Sequence, residues 1–274
     1  LVEQRIRLVV SDVDGTLVGP DHHLGAATLE AAAGLAAAGI PLALVSSRPP
    51  RGMVGFVDPL ALTAPLTGFN GAMTVTPSLE PIDELPVPAP VAAEVLAALS
   101  STTVELWAFE GSRWLVADPD GARVQRHAAD VGYEPEVVDD VAAAVADRSV
   151  TKLVGVSDDH DAVAEAERRV RAACAASVSA TRSQPCYLDV TVAGADKGSA
   201  VRELCRLLDV DPASVLAIGD GANDVAMFEV AGTGVAMGNA APEVQSAATF
   251  VTGRSADGGW ASALVDRVLA APTS

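Results

Sequence analysis

Cysteine is scarce in this 274-residue chain, and basic residues are outnumbered. The three cysteines, Cys174, Cys186 and Cys205, form no CxxC pair and have no structural-zinc spacing. An odd, scattered set speaks against a disulfide framework and points to reduced thiols in a cytoplasmic protein. Lys plus Arg number 18 against 36 Asp plus Glu, giving a formal charge of −18 and a pI near 4.4. Nucleic acids and anionic membranes attract Lys and Arg clusters, so neither is an expected partner. An anionic substrate would have to meet local positive groups or a metal ion. A membrane-length apolar helix is also missing: the uncharged stretch Ala31 to Ser47 falls short of the ~20 residues a span needs, and it contains Gly34, Gly39 and Pro41. The opening residues LVEQRIR meet charge at once and lack an apolar targeting core.

Half of the residues are hydrophobic, enough for substantial cores, and the length suits two domains sharing a cleft. Arg7 to Ser11 is a short apolar, β-branched run that ends at two aspartates, the pattern of a buried parallel strand. An Ala/Leu helix from about Ala26 to Ala38 follows, closed by Gly39, and then a second buried strand, Pro41 to Val45. The Pro- and Glu-rich stretch Pro77 to Pro90 is expected to be a hinge. Beyond it the pattern is α+β: a helix near Val91 to Leu99, facing strands Val104 to Phe109 and Arg113 to Ala117, and helices near Gly121 to Val131 and Asp161 to Ala173. Strands Lys152 to Val156, Val178 to Thr181 and Tyr187 to Val192 complete that module. From Lys197 onward βα alternation returns, with strands at Val215 to Ile218, Gly234 to Met237 and Phe250 to Val251. The fold class expected is α/β, a doubly wound parallel-sheet core formed by residues 1–80 and 193–274, interrupted by an α+β cap at residues 81–192.

Two constellations carry chemistry. Asp12 and Asp14 stand at the end of the first strand, where backbone alternation points both to one side. Two converging carboxylates repel unless a cation sits between them, and a hard ion such as Mg²⁺ suits oxygen ligands that must also meet phosphate. Taken alone, the pair equally suits an acidic turn with Thr16 as a helix cap. Gly219 to Asp224 (GDGAND) again ends an apolar strand in carboxylates, Asp220 and Asp224, with glycines allowing a sharp turn before a helix. Ser46, at the end of the second strand, and Lys197, at a helix start, would supply a hydroxyl and an ammonium to a phosphoryl group in flight.

In order, DVDGTL, VSSR, DKG and GDGANDVAMF resemble the haloacid dehalogenase superfamily of phosphatases. Asn70 in GFNGA and the long insert before Lys197 look most like its Cof-type branch, which carries a C2-type cap. The resemblance spans the whole chain. It implies a Mg²⁺-dependent phosphomonoester hydrolase acting on a small phosphorylated metabolite, a sugar phosphate by default, through an aspartyl-phosphate. It further implies Asp12 as nucleophile and Asp14 as acid/base. Mg²⁺ would be held by Asp12, the Asp14 backbone carbonyl and Asp220, with Asp224 supporting through water. Ser46 and Lys197 would contact the phosphoryl group, and Asn223 would help order the site. Where the family usually has glycine before arginine, Ser47 precedes Arg48 here, which leaves Arg48, like Asn70, a candidate substrate contact.

A phosphomutase-like transferase would use the same nucleophile, and a receiver-like signalling module also gathers aspartates and a lysine around Mg²⁺. The second is about half this length and needs no cap. The resemblance leaves monomer and homodimer equally open. His22 and His23 are expected to be solvated, Trp107, Trp114 and Tyr187 to pack in the cap sheet, and Glu165 to Arg171 to form a charged outer face.

Overall fold

A computed structural model describes residues 5–270. The charged start Leu1 to Gln4, in which no targeting core was read, lies outside the described residues. In chain order the elements are β1 (Leu8–Ser11), α1 (Ala26–Ala37), β2 (Leu42–Val45), β3 (Leu66–Gly68), β4 (Met73–Val75), β5 (Pro81–Glu84) and α2 (Ala89–Leu99). Then come β6 (Glu105–Glu110), β7 (Arg113–Val116), α3 (Ala122–Val131), β8 (Glu136–Val137), α4 (Val141–Val145), β9 (Lys152–Val156), α5 (His160–Cys174), β10 (Val178–Gln184) and β11 (Tyr187–Val192). The chain closes with α6 (Lys197–Leu208), β12 (Val215–Gly219), α7 (Val225–Val230), β13 (Thr233–Ala236), α8 (Pro242–Ala247), β14 (Phe250–Val251) and α9 (Gly259–Leu264).

Two sheets organise these elements. The first has the order β14-β13-β12-β1-β2-β3-β4-β5, parallel from β14 to β3 and antiparallel from β3 to β5. Its strands are short apolar runs because both faces are covered. Val9 of β1 packs into one hydrophobic cluster with α1 and α9 residues, while Leu8 and Val10 pack into another with α6 residues. Neighbouring β1 and β12 lead the chain to opposite sides of the sheet, so the crevice at their carboxyl ends is a topological switch point, where such folds place their ligands.

The second sheet, β10-β11-β9-β6-β7-β8, is antiparallel apart from the β7–β8 pair. Period-two alternation separates its faces. Leu153, Leu188 and Val190 pack under the helices α2 and α5, whereas Trp107, Phe109 and Val154 turn toward the first sheet and join its core.

The stretch Pro77 to Pro90 is not a hinge throughout. Pro81–Glu84 forms β5, the outermost strand of the first sheet, so that sheet extends four residues past the boundary expected at residue 80. Its side chains are all exposed, and an exposed edge strand carries no apolar alternation to mark it in sequence. The short strands β3 and β4 also escape a pattern reading, since three residues are too few to show a period.

Candidate active site

Parallel β1 and β12 deliver the acidic groups. Asp12 follows β1, Asp220 follows β12, and Asp224 is fully buried at the foot of α7. One carboxylate oxygen from each of Asp12, Asp220 and Asp224 lies within 4.8 Å of the others. Lys197 bridges two of the three, its Nζ standing 2.5 Å from Asp12 Oδ1 and 2.6 Å from Asp224 Oδ1. Asp196 caps α6 in a reciprocal box with Ser199 and so sets Lys197, the first helical residue, into the cleft. The loop after β12 is tightened by Asp224 Oδ2, which accepts from the Asp220 and Gly221 backbone N–H groups.

One ammonium cannot balance two buried carboxylates and a third half-buried one. Burial raises the Asp12 carboxyl above its usual range, Asp224 and Asp220 push it further, and Lys197 pulls it back only in part. Asp220 is pushed up to about 6 by burial and by Asp224, against donors from Thr16 at 3.0 Å and Asn239 at 3.0 Å. Burial alone would lower Lys197, but Asp12 and Asp224 outweigh it and raise that group. A cluster of hard oxygen donors with surplus negative charge is what a small divalent cation requires, so these side chains fit Mg²⁺ chemically.

The Asp14 carboxylate goes elsewhere. Alternation predicted that it would converge with Asp12, yet it does not join the three-carboxylate cluster. Instead Arg48 grips it twice, Nε to Oδ2 and Nη2 to Oδ1, both at 2.6 Å, and His22 Nδ1 lies 3.1 Å from Oδ1. The reason is geometric: β1 ends at Ser11 and the chain already turns at Val13, whose carbonyl accepts from the Thr16 and Val18 N–H groups, so the extended backbone on which alternation depends stops before Asp14. Burial pulls the Asp14 carboxyl up, but Arg48 and then His22 prevail and hold it below the usual range. Arg48 is itself buried and also donates through Nη1 to the Asp130 carbonyl of α3, tying the two sheets' layers together across the cleft. His22 and His23 are exposed as expected, and His22 in addition lies against the Asp14 carboxylate.

Arg48→Met should cost about 1–2 kcal/mol, the charged hydrogen bonds being discounted because Asp14 is 39% exposed. A group with a depressed folded pKa contributes stability above its unfolded value, near ~4 for aspartate. The wild-type advantage in melting temperature is accordingly full above about pH 4 and fades as pH falls through Asp14's lowered pKa. Paired thermal melts of the two proteins across acid pH check this.

Ser46 is buried, and its Oγ accepts from the Arg48 backbone N–H at 3.1 Å. Asn70 belongs to three successive left-handed residues, Phe69, Asn70 and Gly71. That turn docks on the end of β2, where the Asn70 N–H reaches the Ser46 carbonyl at 2.9 Å, and a Cβ on Gly71 would sit 2.4 Å from the Asp196 carbonyl oxygen. Asn223 Nδ2 donates to Asn70 Oδ1 at 2.9 Å, closing the rim. Asn239 was overlooked in sequence. It follows β13, the strand next to β12, so a polar residue at a third strand end in one sheet was the available signal.

A cleft of about 610 Å³ runs from these residues to the inward face of the second sheet, taking in Lys152, Trp107, His127, Tyr187 and Asp189. Trp107 and Tyr187, expected only to pack, pack and also line it.

Fold and site together define an α/β enzyme whose acidic, cation-demanding centre opens into a cleft sized for a small molecule. Residues 9–264 match the family of haloacid dehalogenase-like hydrolases. The chain belongs to that family and is a phosphatase. It is 33% identical over 238 residues to the HMP-PP phosphatase of Cronobacter sakazakii, covering 87% of this chain and 86% of the relative. A haloacid dehalogenase-like hydrolase from Bacteroides thetaiotaomicron superposes with a TM-score of 0.86 at 26% identity, over 96% of this chain and 99% of that one. A subclass IIB sugar phosphatase shares the fold, with a TM-score of 0.83 at 22% identity over 95% and 98% of the two chains. No helix among the described residues is long and apolar enough to cross a membrane.

Proposed function

We propose that the protein is a Mg²⁺-dependent phosphomonoester hydrolase that forms an aspartyl-phosphate on Asp12. The observation that carries this reading is the Asp12, Asp220 and Asp224 cluster bridged by a buried lysine. Asp12, Asp220 and Asp224 would hold Mg²⁺, with the Asp14 carbonyl as the resemblance implies, and the ion would offset negative charge on the phosphoryl oxygens.

Lys197 holds Asp12 Oδ1, orienting the carboxylate and lowering its repulsion for an incoming phosphate. An Asp12 oxygen attacks phosphorus, the bond to the leaving oxygen breaks, and Asp14 supplies the proton that makes the leaving group an alcohol. Water then attacks the aspartyl-phosphate, Asp14 takes its proton, and orthophosphate leaves while Asp12 is regenerated. In the Arg48 grip Asp14 is a carboxylate, the state the second step uses. The first step needs it protonated, so Arg48 must loosen as substrate enters. Ser46, Asn70 and Asn223 would position the phosphoryl group and the rim around it.

Among the described residues, the core is assigned to 5–84 and 193–270 and the cap to the residues between, with the cap reading the leaving group. A small phosphorylated metabolite suits the cleft volume and the relative named as an HMP-PP phosphatase. Three free cysteines suit a reducing cytoplasm.

Orthophosphate release from a panel of sugar, nucleotide and cofactor phosphates, with Mg²⁺ and after its removal by chelation, tests the proposal. Activity that chelation leaves intact overturns the metal assignment. Return of the phosphoryl group to a sugar instead of water would make the protein a mutase. Gly15→Ala probes the metal pocket separately. Its Cβ would stand 2.3 Å from Asp220 Oδ2 at a φ of +78°, so a loss of roughly 1–2 kcal/mol is expected from the strained backbone. Displacement of Asp220 should raise the half-saturating Mg²⁺ concentration about tenfold, as for a disturbed ligand shell, which a metal titration of the activity reads out.

A further inference from the structure

The inward face of the second sheet carries an ion pair among largely apolar side chains. Lys152 of β9 and Asp189 of β11 are 6% and 3% exposed, with Nζ 2.8 Å from Oδ1. Their strand neighbours on that face are the apolar Phe109, Val154 and Trp107 and, across from Asp189 on β10, Thr181. Burying two charges costs several kcal/mol per ion, and apolar residues of similar volume usually serve stability as well or better. The pair is also incompletely satisfied. Asp189 Oδ2 is buried without a hydrogen-bond partner among the described residues, and so is His127 Nε2 across the cleft's aromatic wall. Lys152 has one further acceptor, the Ser47 carbonyl at 3.5 Å, and lies over the Phe69 ring at 5.8 Å.

Composition sharpens the point. Lys152 and Lys197 are the two lysines of the whole sequence, the other cationic side chains being arginines apart from four histidines. Both lysines are buried on the cleft, one beside the acidic centre and one on the opposite wall. Lysine offers a compact charge with three rotatable donors, so it can share itself between Asp189 and a third group.

We propose that Lys152 and Asp189 are the specificity residues for the leaving group, and that they select an uncharged one carrying a hydrogen-bond donor beside an acceptor. The donor goes to Asp189 Oδ2 and the acceptor takes a proton of Lys152 Nζ. The two charges cancel, so the pair attracts no net charge of either sign. Neighbouring hydroxyls of a sugar meet this requirement, and so does a hydroxylated heterocycle, which Trp107 and Tyr187 would also flank. The inference rests on the phosphatase reading and adds what the enzyme reads.

The test compares glucose 6-phosphate, pyridoxine 5′-phosphate and 4-nitrophenyl phosphate, the last lacking a donor. Asp189→Asn and Lys152→Met should each raise KM at least about tenfold for whichever polar ester the wild type cleaves, a discrimination typical of an unpaired buried polar group. Turnover of 4-nitrophenyl phosphate by Asp189→Asn should stay within about threefold, since that substrate has no donor for Asp189 to lose, whereas its nitro group is an acceptor and Lys152→Met is read on the polar esters alone. The polar ester affected identifies the source of the donor and acceptor. The double variant Lys152→Met/Asp189→Leu should melt at or above the wild-type temperature yet keep the KM defect. Losses spread evenly over all three esters, no loss on any, or a double variant that restores KM would show the pair to be structural and overturn the inference. A wild type that cleaves 4-nitrophenyl phosphate but neither polar ester also overturns it while leaving the hydrolase reading intact. A wild type that cleaves none removes both.

Discussion

Asp12→Asn is expected to lower orthophosphate release by at least about 10⁴-fold, the scale on which loss of a nucleophile acting with its neighbours is felt. The substitution is nearly isosteric. Asparagine can still accept from Lys197, so the cleft should keep its shape, and the loss should fall on kcat with substrate affinity largely retained. Stability should move little in metal-free buffer. The change removes one of three crowded carboxylates, a gain, and weakens one contact to a buried ammonium, a loss of similar kind. The rise in melting temperature on adding Mg²⁺ should shrink, because a ligand that binds the native state with lower affinity stabilises it less. Initial rates and melts with and without Mg²⁺ give both readouts, and residual activity above about one per cent of wild type, far over the expected floor, would remove Asp12 from the nucleophile's role.

Lys197→Met acts on the same cluster from the other side and should be felt by the fold as well as the chemistry. Lys197 is 2% exposed and stands between Asp12 and Asp224. Methionine fills the volume but leaves two buried carboxylates without their cation, and breaking a buried pair in this way costs about 3–5 kcal/mol. For a chain of this size that is a fall of roughly 6–20 °C in melting temperature. Activity should drop about 10³-fold, the scale seen when one charge-stabilising donor is removed. Mg²⁺ should recover more stability in the variant than in the wild type, since an added cation then meets a larger uncompensated charge. Denaturant titrations at several Mg²⁺ concentrations measure this, and equal Mg²⁺ effects on the two proteins would show that lysine and metal do not share a charge cluster.

The readable part of the molecule was local. Apolar runs ending in Asp12, Ser46 and Asp220 announced buried parallel strands with polar ends, because a strand covered on both faces has no room for polar residues until it emerges. Lys197 was legible as a lysine at a helix start, while the Asp196 and Ser199 capping box that sets it there came with the structure. Arg48 was harder. The serine before it left its role open, and its position is set by Asp14, 34 residues away, and by the Asp130 carbonyl, 82 residues away. Lys152 and Asp189 carried a signal that passed unused: a charge inside KLVGV and another inside YLDVTV, each at a position that alternation assigns to a buried face.

The sequence by itself determined which residues could form strands, where those strands end, and which side chains wait at the ends, because period and capping are properties of a few neighbouring residues. Only the tertiary structure decided that Asp14 turns from the carboxylate cluster into the grip of Arg48 and His22, and that a lysine and an aspartate from two strands of the second sheet share one cleft with Asp12. Those pairings join groups far apart in sequence, and their energies depend on burial and on distances of a few ångströms, which exist only after the two layers have packed.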